Sequence, residues 1–258
     1  MDNINFYEQF DWSKLNKQAL VPKIKKILEL IPDDVFSIAD IGCGNGIITN
    51  VLNRHYDVTA VDRSKKALSY VEGKSILASS GNIPLETGSF DMVFSSEMLE
   101  HIDEKTFQDT IKELKRLSKK YIFITVPNGE NPAKLAIQCP KCGYIYNRPN
   151  HLRSFNVDTF KELFPEYKIV KTLAFGPKTR YYNPKLLNLK LRLTPSSSWI
   201  PYYWIPKDNR KTFCPRCEHS FEYKYKFNPV ATFIDIVNVI ISKKKPYWLF
   251  VLMEKKDR

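Results

Sequence analysis

The chain has 258 residues, 43% hydrophobic and 26% charged, which excludes a disordered chain and suffices for one sizeable core plus an insertion or small subdomain. It has no apolar run of about 18 residues and does not open on a signal-peptide pattern, so the expectation is a cytoplasmic protein without a transmembrane segment. The net charge of +12, from 40 basic and 28 acidic residues, favours an anionic partner (nucleic acid, a phosphorylated metabolite or a membrane surface), with a merely lysine-rich surface an equal alternative. In chain order, Ser13 to Ile31 carries a helical stripe at Leu15, Leu20, Ile24, Ile27, Leu28 and Ile31, closed by Pro32. Alternating units follow: strand 35–41, helix 46–54, strand 57–61, helix 64–72, strand 74–78, strand 90–95, helix 104–118 and strand 120–126. That alternation predicts an α/β fold with a doubly wound, mostly parallel sheet and ligands at the strand C-termini. Past Pro127-Asn128 the pattern predicts a helix near Val157–Leu163, a strand near 167–174, and a last strand over 247–253. About seventy residues (176–246) lie between those last strands, too many for a loop. They include a probable helix from Asn228-Pro229 to Ile241.

The first strand runs into Gly42, Gly44 and Gly46 and then a helix, an arrangement that lets a nucleotide-type ligand lie against the backbone. Asp62 ends the second strand 20 residues after Gly42, where a carboxylate accepts both hydroxyls of a ribose. With Asp40 ahead of the glycines, and Ile83-Pro84 and Ser89–Ser96 downstream, the chain resembles the class I S-adenosylmethionine (SAM) methyltransferases. The resemblance implies a Rossmann-like fold of seven strands and SAM as cofactor. It makes Asp62 the ribose ligand, Asp40 the residue that orders the glycine loop, and Gly42, Gly44, Gly46 and Ser96 parts of the cofactor site. The family's usual aspartate five residues before the proline is replaced here by Ser79, followed by Ser80, so a hydroxyl or backbone contact has to serve the adenine. The resemblance also makes residues 1–34 a helical lid in which Phe6, Tyr7 and Trp12 cover the cofactor or pack on the sheet. Residues 35–175 become the SAM-binding core with a knuckle insert at 130–150, 176–246 a substrate and zinc insertion, and 247–258 the last core strand and tail.

Cys139-Pro-Lys-Cys142 and Cys214-Pro-Arg-Cys217 hold four of the five cysteines. Each C-x-x-C supplies two thiolates to a tetrahedral ion, and two together complete a closed structural zinc site that would staple the two insertions. A disulfide or redox role is disfavoured in a cytosolic chain. Cys43, in the glycine loop, reads as a small buried residue.

Glu97, Glu100 and His101 follow the fourth strand. If that segment is helical, they share one face and form a hard O/N ligand set suited to Mg²⁺, Mn²⁺ or Fe²⁺. The Glu-x-x-Glu-His pattern resembles two O-methyltransferase families, those of ubiquinone biosynthesis and those that 2′-O-methylate the 3′ end of small RNAs. The second family adds a histidine after a Pro-Asn segment, which makes His151 the fourth ligand candidate. Without a metal, His101 or His151 would serve as general base. The expected activity is O-methylation of a small or glycan-linked anionic acceptor, as in bacterial surface-polysaccharide or metabolite modification, with Arg148, Arg153, Lys178, Arg180, Arg210 and Lys211 available for a phosphate. The alternative is RNA 3′-terminal 2′-O-methylation, with Tyr181, Tyr182, Trp199, Tyr202, Tyr203 and Trp204 stacking bases.

Overall fold

The apolar runs of the sequence become strands, and they assemble in an order that leaves a crevice at the glycine loop. In the computed structural model, which describes residues 8, 12, 17–201, 204–205 and 210–256, the strands are β1 (Ser37–Ile41), β2 (Asp57–Asp62), β3 (Lys74–Leu77), β4 (Phe90–Ser96), β5 (Ser118–Pro127), β6 (Ala136–Gln138), β7 (Ile145–Asn147), β8 (Tyr167–Arg180), β9 (Lys211–Phe213), β10 (Ser220–Glu222) and β11 (Lys244–Lys255). Of the residues singled out in the sequence, Phe6, Tyr7, Ser13, Leu15, Tyr202 and Tyr203 lie outside the described residues. One sheet of seven strands runs β3-β2-β1-β4-β5-β11-β8. Strands β1 to β5 pair in parallel, whereas β11 runs antiparallel to both β5 and β8. The order reverses beside β1, so β1 and β4 splay their C-terminal loops around a common crevice.

The side chains of β5 show how the sheet is held. Tyr121 and Phe123 pack with Ile38, Phe94 and Phe250 on one face, against Ile27 and Leu30 of helix α1 (Lys17–Leu30). Ile122 and Ile124 pack on the other, against Phe107, Ile111 and Leu114 of a later helix. Period-two alternation thus fills both faces, and each fully buried side chain of this kind contributes about 1.5–3 kcal/mol.

The intended helices 46–54 and 64–72 shrink to single turns, α2 (Thr49–Leu52) and α3 (Lys65–Leu68). Gly46 sits at φ +70°, outside the helical region, and the ends tighten through three-residue bonds such as His55 N to Leu52 O (2.9 Å) and Val71 N to Leu68 O (3.0 Å). Helix α4 (Glu104–Leu117) is built as its sequence dictates: the Asp103 side chain caps it, accepting from Thr106 N, Glu104 opens it, and Lys115 and Arg116 end it. Helices α5 (Val157–Leu163), α6 (Pro184–Leu193) and α7 (Pro229–Ile241) complete the set.

Strands β8 and β11 run further than their apolar cores suggested. They pair with each other from Tyr167↔Lys255 to Arg180↔Lys244, so residues 181–243 lie between their ends. Among the described residues, no helix is long and apolar enough to cross a membrane.

Candidate active site and metal centres

The glycine loop is pinned to the end of β2. Gly42 N and Cys43 N both donate to Val61 O, at 2.8 and 3.2 Å. Gly44 N donates to one oxygen of Asp62 and Ser64 N to the other, each at 2.8 Å. Every carboxylate oxygen has a second lone-pair direction, so Asp62 can still accept ribose hydroxyls. A Cβ on Gly42 would stand 2.3 Å from Met98 Cγ, and φ is +75°, so only glycine fits. The Trp12 ring lies over Gly44, 3.0 Å from where a Cβ would be, and Asn45 Nδ2 donates to Trp12 O (2.9 Å). Trp12 thus lies over the glycine loop. Asp40 is buried and accepts from Thr49 Oγ1 at 2.6 Å; burial pushes its carboxyl up to about 7 despite that bond. Burial likewise pushes the Cys43 thiol well above its ordinary range, which makes it unreactive.

The remaining cofactor candidates are placed unevenly. Ser79 and Ser80 follow β3; Ser79 is exposed, while the Ser80 hydroxyl meets Thr110 Oγ1 of α4 at 2.8 Å. Ser96 accepts from Lys23 Nζ (2.9 Å) and bonds Thr125 Oγ1 (2.8 Å). Lys23, from α1, is 1% exposed and was missed in the sequence. The signal was there: it lies three residues after Leu20 and four before Ile27, a lysine on an apolar stripe.

Residues 97–102 form bends and turns, so the helical face imagined for Glu97, Glu100 and His101 does not exist. Glu97 sits at φ +52°, a strained conformation for a non-glycine residue, and its carboxylate turns to Lys23 Nζ (3.0 Å) and Thr125 Oγ1 (3.1 Å). The turn instead brings Glu100 and His101 together with His151, one donor atom from each lying within 4.8 Å of the others. The imidazoles of His101 and His151 meet edge to face with centroids 4.7 Å apart. His151 Nδ1 is hydrogen-bonded to Glu130 Oε2, so the carboxylate orients the ring and leaves Nε2 as the outward donor. Glu130 lies just after Pro127-Asn128, and its place in the sequence gives no sign of this role.

The turn is clamped from behind. Arg153 Nη1 donates to Leu99 O (2.9 Å) and Ile102 O, its guanidinium lies 4.1 Å over the Phe107 ring, and Leu152 N donates to Glu100 O (2.7 Å). Arg153 is thereby used up as a structural brace, as is Arg180, which donates to Val239 O (2.8 Å) and Ser242 O at the end of α7. Arg210 donates to Ile205 O (3.1 Å), and Arg148 is half-buried, with burial lowering its pKa. Lys178 and Lys211 remain exposed. Lys134 and Lys245, unnoticed in the sequence, both interact electrostatically with Glu130.

The electrostatics of the cluster suit a cation. Glu100 is 1% exposed, and neither of its carboxylate oxygens has a hydrogen-bond partner. Burial, with the Glu97 charge second, pushes its carboxyl well above the usual range. Burial, then the neighbouring His151, holds His101 down at about 3, a neutral imidazole throughout the physiological range. A buried carboxyl with no hydrogen-bond partner beside two imidazoles fits a divalent ion with O/N preference, and three protein donors leave coordination positions open.

The four paired cysteines form a second cluster. Each C-x-x-C sits at the tip of a short hairpin, β6–β7 and β9–β10. The tips are built alike: Gly143 N donates to Cys139 O and Glu218 N to Cys214 O, each at 2.9 Å, and Gly143 and Glu218 both have φ above +55°. Cys139 and Cys217 sulfurs lie 3.6 Å apart, Cys142 and Cys214 sulfurs 3.7 Å. All four lie within 4.8 Å of one another. A regular tetrahedron with Zn–S bonds of about 2.3 Å has edges of about 3.8 Å, so the four cysteines fit a zinc site. Burial opposes ionisation of Cys139, yet the Cys142 and Lys141 amides and neighbouring thiols bring it down to about 7. Ile137, Tyr146, Ile200, Ile205 and Tyr223 wrap the cluster in its own small core.

Other packing within the insertion accounts for aromatics expected to stack bases. Tyr182 and Trp199 are buried; Tyr182 Oη donates to Asp235 (2.7 Å) and Trp199 Nε1 to Thr194 O (3.0 Å). They hold the insertion together, and of the described aromatics in that set Tyr181 alone is classed as exposed.

Comparison with known proteins agrees with this layout. Residues 39–123, from β1 to β5, match the family model described as a methyltransferase domain. Residues 39–123 are thus a methyltransferase domain, and the fold is that of SAM-dependent methyltransferases. An uncharacterized protein of Methanocaldococcus jannaschii is 24% identical over 179 residues, covering 68% of this chain and 71% of that protein. A ubiquinone biosynthesis O-methyltransferase of Albidiferax ferrireducens is 23% identical over 187 residues, covering 62% and 71%. The crystal structure of a SAM-dependent methyltransferase from Archaeoglobus fulgidus shares the fold with a TM-score of 0.57 at 15% identity, covering 93% of this chain and 95% of that one.

Proposed function

We propose that this methyltransferase is an O-methyltransferase acting on a hydroxyl of a small or glycan-linked anionic acceptor, with a divalent ion held by Glu100, His101 and His151. The observation that carries the reading is the Glu100 carboxylate, buried with both oxygens unpartnered beside two imidazoles. A divalent ion bound there lowers the pKa of an acceptor hydroxyl at neutral pH. Glu130 fixes the His151 tautomer, and Arg153 holds the turn that carries Glu100 and His101. Trp12 over the glycine loop limits water at the cofactor side. Lys134 and Lys245 beside Glu130 favour an anionic acceptor. The name of the Albidiferax relative, an O-methyltransferase, points the same way. The cysteine cluster takes zinc as a closed structural staple, with no position left for chemistry. The RNA reading is weaker, because Tyr182 and Trp199 are spent on the insertion core.

The test is transfer of radiolabelled methyl from SAM into extract separated into RNA and small-molecule or glycan fractions, with and without EDTA. Chelator-sensitive label outside RNA, lost in Glu100→Ala, supports the reading. Periodate-resistant label in RNA overturns the acceptor class, and label indifferent to both EDTA and Glu100→Ala overturns the metal.

A further inference from the structure

Helix α7 has its faces reversed for a helix at an aqueous surface. The side it buries carries Asp235 and Asn238 beside Ala231 and Ile234. Asp235 accepts from Lys190 Nζ at 2.7 and 2.8 Å and from Tyr182 Oη, while Asn238 accepts from Asn183 N (2.9 Å) and Ser242 Oγ (2.8 Å) and donates to Tyr181 O (3.2 Å). The side it exposes is apolar: Val230, Phe233, Ile236 and Ile240 recur every three or four residues, with Val239 and Ile241 beside them. Phe233 is 66% and Ile240 77% exposed, and Phe227 just ahead of the helix is 70% exposed. A stripe this continuous marks an interaction surface rather than scattered exposure.

The charges around the stripe say what covers it. Asp235 is the one charged residue within α7, and it is buried and paired. Exposed lysines flank both ends, Lys224 and Lys226 before the helix and Lys243 and Lys244 after it. We propose that α7 seats this chain on an anionic lipid surface, with the apolar stripe at the boundary of headgroups and acyl chains and the flanking lysines on lipid phosphates. At 13 residues the helix is about 20 Å long, which suits lying in the interface plane and is too short to span it. A second copy of the chain is a poorer occupant: two-fold pairing of these stripes sets lysines against lysines, between bodies that each carry +12.

The helix also leads into the candidate site. Lys245, directly after the second lysine pair, donates to Gly129 O (3.1 Å), and Asn128 N donates to Tyr247 O (2.7 Å), so its C-terminal end is tied to the loop that carries Glu130. An acceptor anchored in the same lipid surface would arrive at that rim; this last step rests on the methyl-transfer reading, the docking does not.

The experiment is flotation of the full chain with vesicles of phosphatidylcholine alone and of phosphatidylcholine mixed with phosphatidylglycerol, with SAM binding and thermal midpoint as checks on folding. The expected result is flotation with the anionic vesicles, reduced about tenfold or more by Phe233→Glu with Ile240→Glu, and severalfold by Lys243→Glu with Lys244→Glu, at unchanged SAM affinity. Absence of flotation with anionic vesicles overturns the proposal, as does flotation that the Phe233/Ile240 variant leaves intact. A solution mass that halves in that variant, without vesicle binding by the parent chain, assigns the stripe to a second copy and overturns it too.

Discussion

The two clusters of ligand-type side chains differ in each property that decides what an ion does. The cysteine cluster is soft, has four donors at tetrahedral spacing, and sits in a small core of its own away from the sheet. The Glu100–His101–His151 cluster is hard and has three donors. It stands on the loop after β4 and on the segment between β7 and α5, and a carboxylate behind one ligand orients it. Donor count separates a closed staple from a site with room for a substrate oxygen, and donor softness separates zinc from magnesium, manganese or iron. One chain can thus carry two metal sites that do not compete for the same ion.

The comparison breaks most visibly at the staple. Cys214→Ser is expected to abolish bound zinc, measured by elemental analysis, and to lower the thermal midpoint by about 10 °C or more in calorimetry. A midpoint that hardly moves would mean the cysteines hold nothing. At the other cluster the loss should be in rate instead: Glu100→Ala is expected to cost about a thousandfold or more in methyl transfer while SAM affinity stays within about twofold. If SAM affinity and the thermal midpoint collapse with the rate, Glu100 is structural and the contrast fails. Glu130→Gln sharpens the point, with an expected loss of about 10- to 100-fold in Mn²⁺ affinity by calorimetric titration and no change in zinc content.

The last effect concerns a buried carboxylate that does have a partner. Asp40 rises from 3.8 to about 7 through burial. Between those values the folded chain holds a proton that the unfolded chain has lost, so this group's contribution to stability is greatest at low pH and declines as pH rises, levelling above about 7. Asp40→Asn removes that dependence. The midpoint of the variant minus that of the parent, both without SAM, should therefore climb between pH of about 4 and about 7, by the equivalent of up to about 4 kcal/mol, and stay flat beyond. A flat difference throughout would show that Asp40 ionises normally.

What could be read from the sequence divides along the same line. The strands of the sheet, the glycine loop and the positions of Asp40 and Asp62 follow from local patterns of apolar residues and turns, which is why β1, β2, β4 and β5 lie where expected. The two C-x-x-C pairs carry their own geometry, and their sulfurs meet. The hard cluster was only half legible. Its spacing suggested a helix, but Glu97 at φ +52° sends the chain into a turn and gives its own carboxylate to Lys23. Glu130 and Arg153 reach the cluster from 30 and 53 residues beyond Glu100, a proximity no spacing rule encodes. The faces of α7 were missed for a different reason: Asp235 and Asn238 look like solvent residues until Lys190 and Asn183 are seen behind them.

Strand β11 has a consequence for how the chain comes together on the ribosome. It lies between β5 and β8, both synthesised before it, and β8 meets the sheet only through β11. Until residues 244–255 emerge, β5 and β8 each present an unpaired edge, the kind of surface that invites pairing with another nascent chain. Cys139, Cys142, Cys214 and Cys217 have all been made by then. A zinc ion captured at that stage would tie the segment after β5 to the segment after β8 before the last strand fills the slot between them.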